Sequence, residues 1–196
     1  MNYDQWRHYL KARLLQAFKK TEPAIAEYRQ AYAHNPQFAK AAGAIGYLLA
    51  GQGKHEEARH WFGEAVRIRP NDAFAHFNLG FVLDKNGRRE EAVAAFREAV
   101  RLNAKLDRAW YGLGMSLAAL GLHQDAAAAF HEVTMLEPMN PHAWYALGMA
   151  YHHAHDPDKV KEVVDHLFRF DPVMTRQLIR DAERSDLAHM VQDLLV

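Results

Sequence analysis

The stretch Trp144-Tyr145-Ala146-Leu147-Gly148-Met149-Ala150-Tyr151 decides the fold, because its Leu-Gly pair recurs along the chain at a fixed interval. Stepping back by 34 residues at a time gives the matching pairs Leu113-Gly114, Leu79-Gly80 and Ile45-Gly46. Self-similarity at a period of roughly 20–50 residues indicates repeated structural units that stack on one another.

Four further landmarks keep the same interval. Small residues recur at Ala24, Ala58, Ala92 and Ala126, and four residues later stand the aromatic residues Tyr28, Phe62, Phe96 and Phe130. A second small or branched residue recurs at Ala31, Ala65, Ala99 and Val133. Prolines stand at Pro36, Pro70, Pro138 and Pro172, and Ala104 interrupts their series.

Each period contains two apolar stripes at helical spacing. In the third period the first stripe is Phe74, Phe77, Leu79, Val82 and Leu83, and the second is Ala92, Val93, Phe96, Ala99, Val100 and Leu102. The segment Lys85-Asn86-Gly87-Arg88 between them is typical of a helix end with glycine in the left-handed conformation. We expect Gly80 and Ala92 to let two helices approach closely, with Phe96 packed beside them.

The segment Trp144-x-x-Leu147-Gly148-x-x-Tyr151 matches the tetratricopeptide signature, and the chain resembles a tetratricopeptide-repeat protein along almost its whole length. The resemblance implies an all-α, right-handed superhelical solenoid of helix-turn-helix repeats, with a concave surface lined mainly by the first helix of each repeat. We expect a single domain over residues 1–196. Its five repeats are 5–38, 39–72, 73–106, 107–140 and 141–174.

The two ends depart from the repeat pattern. Lys11-Ala12 replaces the Leu-Gly pair, so the first repeat is expected to be a polar-faced, degenerate starting cap or, alternatively, part of a longer array. Asp156-Pro157 is typical of a helix start, with Asp156 as the N-cap. The tail, residues 175–196, keeps apolar residues at helical spacing and is predicted to form a capping helix or helix pair, in which Ser185 is a candidate cap. Alternatively, this tail docks a partner or a second copy of the chain.

Composition excludes several classes of protein. The 196 residues contain no Cys, which excludes disulfides, thiolate ligands and a thiol nucleophile. No apolar run is long enough to span a membrane, and the first residues lack the apolar core of a signal peptide. We therefore expect a cytoplasmic protein with no membrane insertion. Short basic pairs such as Arg88-Arg89 do not indicate nucleic-acid binding.

The resemblance places aromatic and methionine side chains on the concave face, together with a few polar ones. The predicted peptide-binding groove is Tyr47, Phe77, Asn78, Phe81, Arg108, Tyr111, Met115, His142, Tyr145 and Met149. Such a surface suits an extended peptide or an amphipathic helix, although neighbouring helices could instead shield these side chains from one another. The residues do not reproduce the Lys, Asn and Arg pattern with which chaperone-binding relatives clamp a terminal carboxylate.

These features predict a non-catalytic scaffold or adaptor that binds another protein, with no cofactor. There is no phosphate-binding glycine loop, no GxSxG or HExxH motif, and Ser116 and Ser185 are the only serines. Within a cluster of histidines, His152 and His155 are candidate metal ligands, but two residues make only part of a site. The expected result is no metal site.

Charge distribution supports an alternative function. Residues 1–106 contain 17 Lys+Arg and 11 Asp+Glu, whereas residues 107–196 contain 7 and 13. Opposite charges at the two ends favour oriented, head-to-tail encounters. The chain could therefore be a structural protein that forms homo-oligomers through its ends or its tail helix. A further alternative is a recruiting subunit of an enzyme complex or an envelope-assembly complex.

Overall fold

Helices form nearly all of the regular structure. The computed structural model describes residues 3–195, and within that range the chain forms eleven α-helices and one 3₁₀ helix, with no strand. The elements are α1 (Tyr3–Ala17), α2 (Thr21–His34), α3 (Ala39–Gly51), α4 (His55–Ile68), α5 (Ala73–Lys85), α6 (Arg89–Leu102), α7 (Asp107–Ala119), α8 (His123–Leu136), α9 (Pro141–His153), α10 (Pro157–Leu167), α11 (Pro172–Asp181) and the terminal 3₁₀ helix (Ser185–Leu195).

Consecutive helices pair into hairpins at the interval seen in the sequence. Helices α3, α5, α7 and α9 begin at Ala39, Ala73, Asp107 and Pro141, 34 residues apart. Each packs against the helix that follows it. The predicted class, an all-α array of helical-hairpin repeats, is confirmed.

All five hairpins turn through a residue in the left-handed conformation at the same repeat position. The central three use glycine, with φ of 75° at Gly53, 75° at Gly87 and 77° at Gly121. The outer two use Lys19 at 57° and His155 at 58°. Glycine adopts this conformation without the steric cost that a Cβ atom imposes, so the outer turns are the more strained ones.

Several helices begin at a side-chain cap. The Asp72 carboxylate accepts hydrogen bonds from the backbone N–H groups of Phe74 (3.0 Å) and Ala75 (3.2 Å). Asp156 caps α10 in a similar way, accepting from the Lys159 N–H at 3.2 Å, with Pro157 in the first turn. The predicted capping role of Asp156 is confirmed.

A second repeated bond anchors the first helix to the preceding loop. A ring nitrogen donates to the carbonyl oxygen six residues upstream in three consecutive repeats: His76 to Pro70 at 2.8 Å, Trp110 to Ala104 at 2.9 Å and Trp144 to Pro138 at 2.8 Å. Repeat two has Ala42 at this position, which has no ring to donate.

Glycine of the Leu-Gly or Ile-Gly pair lies against the ring of the second helix. A Cβ atom on Gly80 would lie 2.9 Å from two ring carbons of Phe96, and one on Gly114 would lie 2.7 Å from the Phe130 ring. Ordinary carbon–carbon contacts are about 3.5–4.0 Å, so these positions have no room for a side chain. The predicted packing of Phe96 beside Gly80 is confirmed, whereas Phe74 of the same stripe is 60% exposed.

The C-terminal elements cap the last hairpin. Helix α11 starts at Pro172, three residues before the predicted tail, and packs against α9 and α10. Leu178 is fully buried and occupies the space over Gly148 that a second-helix ring fills in earlier repeats. The 3₁₀ helix begins at Ser185, and the capping role suggested for this residue stays a prediction. Val196 and the side chains of Leu194 and Leu195 lie outside the described residues.

The chain divides into two compact units, Met1–Asn103 and Ala104–Val196. We call these the N-terminal and C-terminal units. The core of the N-terminal unit includes the fully or nearly fully buried side chains of Tyr28, Ile45, Leu49, Phe62 and Val82. In the C-terminal unit, Leu117, Phe130, Val133, Leu147 and Leu167 are buried to the same degree. The single domain, its repeat boundaries and the right-handed superhelix stay predictions.

None of the helices within residues 3–195 combines the length and the hydrophobicity that crossing a bilayer would require.

Candidate functional site

Four of the ten predicted groove residues line one pocket in the N-terminal unit. Tyr47 of α3 and Phe77, Asn78 and Phe81 of α5 surround an open cavity of about 460 Å³. The other lining residues, which the sequence did not single out, are Thr21, Leu48, Ala50, Gly51, Gln52 and Phe62. The volume falls within the range of roughly 300–1,000 Å³ that is usual for ligand sites. We call this cavity the N-terminal pocket.

A smaller cavity of about 150 Å³ lies beside it, and Phe62 and Asn78 line both. Its position coincides with Gly43, where a Cβ atom would have no neighbour within 4 Å. The other repeats have an aromatic side chain at this place: Tyr9, Phe77, Tyr111 and Tyr145. The missing ring at Gly43 therefore leaves a gap in the row of aromatic side chains.

The aromatic side chains of the N-terminal pocket differ in how much of them reaches solvent. Tyr47 is 64% exposed and Phe81 is 42% exposed. Phe77 is half-buried, and its ring centroid lies 6.1 Å from that of Phe96. The Lys85 ammonium lies 5.6 Å from the Phe81 ring centroid, at cation–π distance. Shielding by neighbouring helices thus covers Phe77 in part and leaves Tyr47 open.

Gln52, at the rim of the N-terminal pocket, is hydrogen-bonded to the carboxylate of Glu22. The Gln52 amide donates to a Glu22 carboxylate oxygen at 2.9 Å, and the Lys54 ammonium lies 3.3 Å from the same oxygen. The hydrogen bond from Gln52, followed by the one from Lys54, lowers the pKa of Glu22. Gln52 is therefore positioned at the rim by a charged partner.

The other six predicted residues belong to the C-terminal unit. Arg108 and His142 are exposed, and Met115 is 49% exposed. Tyr111 is half-buried against Phe130, with ring centroids 5.4 Å apart.

Tyr145 and Met149 are half-buried. The Tyr145 hydroxyl donates to an Asp181 carboxylate oxygen of α11 at 2.9 Å. Burial, together with this bond, raises the pKa of Tyr145. The guanidinium of Arg180 and then the Tyr145 hydroxyl lower the pKa of Asp181. The cap thus engages one predicted groove residue directly.

Histidines gather at the turn between α9 and α10. The rings of His152 and His153 lie 5.1 Å apart, and the His153 ring lies 5.1 Å from His123 at the start of α8. Burial and then the charges of His153 and His155 lower the pKa of His123. Among the described residues no group of three or more His, Asp or Glu side chains has a geometry that could hold a metal ion. His152 and His155 therefore have no third candidate ligand in the part of the chain that the structure describes, and the expectation of no metal site stays a prediction.

The hairpin repeats and the glycine–ring contacts define a helical-hairpin repeat protein. Residues 46–87 match the model of the TPR repeat, and residues 77–134 and 123–159 match that of the tetratricopeptide repeat. The chain belongs to the tetratricopeptide-repeat family, and members of this family are in general non-catalytic modules that bind other proteins. The resemblance seen in the sequence is confirmed.

Solved structures of tetratricopeptide proteins share the fold. YrrB, a TPR protein with an unusual peptide-binding site, is 26% identical, with a TM-score of 0.79 over 90% of each chain. MamA from Desulfovibrio magneticus RS-1 is 19% identical, with a TM-score of 0.77 over 92% of this chain and 98% of its own. Pseudomonas aeruginosa pilF is 18% identical, with a TM-score of 0.72 over 98% and 90%. The predicted solenoid class is confirmed by these neighbours. Among curated protein sequences, none is significantly similar to this chain.

Proposed function

We propose that the chain is a non-catalytic adaptor whose N-terminal pocket binds an apolar side chain of a peptide or helix from another protein. The observation that carries this proposal is the exposure of Tyr47 and Phe81 on the walls of a cavity of about 460 Å³. Large aromatic side chains that remain open beside a cavity are typical of the anchor pockets of protein interfaces.

The cavity is suited to one bulky apolar anchor. Its floor includes Phe62 and Leu48, which are 2% and 8% exposed and therefore fixed by the core. Its walls, Tyr47 and Phe81, stand on separate helices and can close on either side of an inserted residue. A rigid floor limits the entropy lost on binding.

Polar groups near the cavity favour a peptide over a small apolar molecule. Asn78 and Gln52 present amides at the rim, where they can pair with the backbone of an extended chain. The smaller cavity adds Lys40 and Arg69, whose charges favour an acidic residue beside the apolar anchor. Asp72 lies in the same cavity, but its carboxylate is engaged in capping α5.

The similarity to YrrB supports this proposal, because YrrB is a TPR protein with an unusual peptide-binding site and is 26% identical to this chain. Six residues of the C-terminal unit stay proposed peptide contacts within that unit: Arg108, Tyr111, Met115, His142, Tyr145 and Met149.

Selection from a display library of random peptides, followed by titration of the best binder, tests the pocket. Tyr47→Ala and Phe81→Ala should each weaken binding by about 2 kcal/mol, roughly thirtyfold, as truncation of an interface anchor does. These residues are preferable to Tyr111, whose ring packs on Phe130 and whose loss would also disturb the fold. Leu122→Ala removes a comparably exposed side chain in the C-terminal unit and should leave binding unchanged.

Enrichment of peptides that bind Tyr47→Ala and Phe81→Ala as tightly as they bind the wild type would refute the assignment. A tight binder that loses affinity only on Leu122→Ala would move the site elsewhere. A cytoplasmic location and a recruiting role in a larger complex stay proposals for this chain.

A further inference from the structure

Helix α1 presents an apolar stripe to solvent. Tyr3, Leu10, Leu14 and Phe18 follow one another at helical spacing, and they are 77%, 59%, 60% and 69% exposed. The opposite face of α1, with Gln5 and Ala12, is buried against the N-terminal unit. Four large side chains on one solvent-facing stripe are unusual for a protein that acts alone.

The repeat register shows what kind of surface this stripe is. Leu14 is the repeat equivalent of Leu48 and Val82, which are only 8% and 0% exposed. Leu48 and Val82 lie on α3 and α5, which pack against the second helix of the preceding repeat. At Leu14 the stripe therefore lies on the face with which a first helix of this protein packs against another helix.

Basic residues accompany the stripe. Arg7 and Arg13 are exposed on α1. Arg7 occupies the repeat position at which the next two repeats have the buried residues Ala41 and Ala75. The nearest acidic partner of Arg7 is Asp4, at 3.7 Å on the same exposed surface. The N-terminal unit as a whole has 16 Lys+Arg and 11 Asp+Glu. An occupant of this face should therefore be apolar and acidic.

The C-terminal unit carries an outer surface with that character. On α8 and the loop after it, Met135, Leu136 and Met139 are 65%, 37% and 68% exposed. Glu132 and Glu137 are exposed beside them. The C-terminal unit has 8 Lys+Arg and 13 Asp+Glu, the reverse of the N-terminal unit. The two surfaces are complementary in both hydrophobicity and charge.

We propose that the α1 stripe of one copy docks on the outer face of α8 of a second copy. This inference is independent of the proposed peptide pocket, because it uses neither Tyr47 nor Phe81. The contact is heterologous: each copy offers α1 to one neighbour and α8 to another. Repetition of such a contact builds a head-to-tail chain unless the rotation closes a ring.

Sedimentation velocity of the full chain at low and physiological salt tests the contact. The wild type should sediment as species larger than the monomer, increasingly with concentration, and salt should weaken the association. Leu10→Gln/Leu14→Gln removes apolar contact from an exposed face, so its melting temperature should stay near that of the wild type. Its association should be weaker by roughly tenfold or more.

Charge reversal identifies the partner surface. Arg7→Glu/Arg13→Glu places acidic residues on both faces of the contact, and Glu132→Lys/Glu137→Lys places basic residues on both, so each variant alone should be monomeric. In the mixture, the acidic α1 of the first variant meets the basic α8 face of the second, and the native α1 of the second meets the native α8 face of the first. Mixing should therefore restore association. Arg89→Glu/Lys161→Glu changes net charge by the same amount as the first variant, away from both surfaces, and should associate like the wild type.

A wild type that stays monomeric at the highest concentration in low salt would overturn the proposal. So would association that survives both charge-reversed variants, or a mixture that remains monomeric. If the wild type instead stays monomeric and floats with vesicles containing anionic lipid, the α1 stripe is a membrane-binding surface and the proposal fails.

Discussion

Gly80→Ala should destabilise the protein although alanine is the better helix former. The new Cβ atom would lie 2.9 Å from two ring carbons of Phe96, so the ring must retreat by about 0.6 Å or more to reach ordinary contact. Phe96 is only 2% exposed, and its surroundings leave little room for that movement. Overpacking of this kind costs about 1–3 kcal/mol, against a gain of about 1 kcal/mol in helix propensity. We expect a net loss of up to about 2 kcal/mol.

Gly63→Ala is the matched control within the same unit. Gly63 also lies inside a helix, but a Cβ atom there meets nothing within 4 Å, so only the propensity gain remains. Urea unfolding followed by far-ultraviolet circular dichroism should place the two variants on opposite sides of the wild type. In a Phe96→Val background, where the ring is absent, Gly80→Ala should lose most of its cost. Equal midpoints for both variants, or a cost unchanged by Phe96→Val, would refute the reasoning.

Three further predictions concern single side chains. Lys19→Gly and His155→Gly should each stabilise the protein by about 0.5–1 kcal/mol in urea unfolding, because both residues occupy the left-handed conformation; a loss of stability in both would contradict this. Burial and neighbouring histidines lower the pKa of His123 in the folded chain. As pH falls, the unfolded chain therefore protonates His123 at a higher pH than the folded chain does. The stability that His123 contributes is thus present above its unfolded pKa of 6.5 and is lost as pH falls. His123→Gln should flatten the fall in the urea midpoint between about pH 7 and pH 5, and an unchanged slope would exclude this origin. Trp144→Phe should lower stability by about 1 kcal/mol, because the Pro138 carbonyl loses its donor at 2.8 Å, and unchanged thermal melting would count against a role for that bond.

The fold could be predicted from the sequence because its determinants recur. A glycine that faces a ring, as Gly80 faces Phe96, leaves the same signal in each of the three central repeats, and so does the glycine of the turn. Three copies of a local rule make the period visible without any homologous sequence. The end of helix α10 and the start of α11 were harder to predict, because Leu178 takes over the place of the ring from a different position in the sequence.

The candidate site was predicted only in part, since its cavity depends on exposures that residue types do not reveal. Tyr47 and Tyr145 were both assigned to the groove, but Tyr47 stands 64% exposed beside a cavity while Tyr145 bonds to Asp181 of the cap. Gly43 stands where the other repeats have an aromatic residue. Residue types alone do not show that a cavity lies beside it.

The two candidate binding surfaces lie where the repeat pattern is broken or where a packing residue stays exposed. Residues that follow the pattern, such as Leu48 and Val82, are buried where one hairpin packs on the next. Gly43 departs from the pattern and leaves an unfilled space beside the N-terminal pocket, whereas Leu14 follows the pattern but is 60% exposed on α1. The space at Gly43 is a concavity that an apolar side chain can enter, and the exposure of Leu14 leaves a packing face open to solvent. Both surfaces follow from the same rule, that a repeat buries its apolar face only where a neighbour supplies the complement.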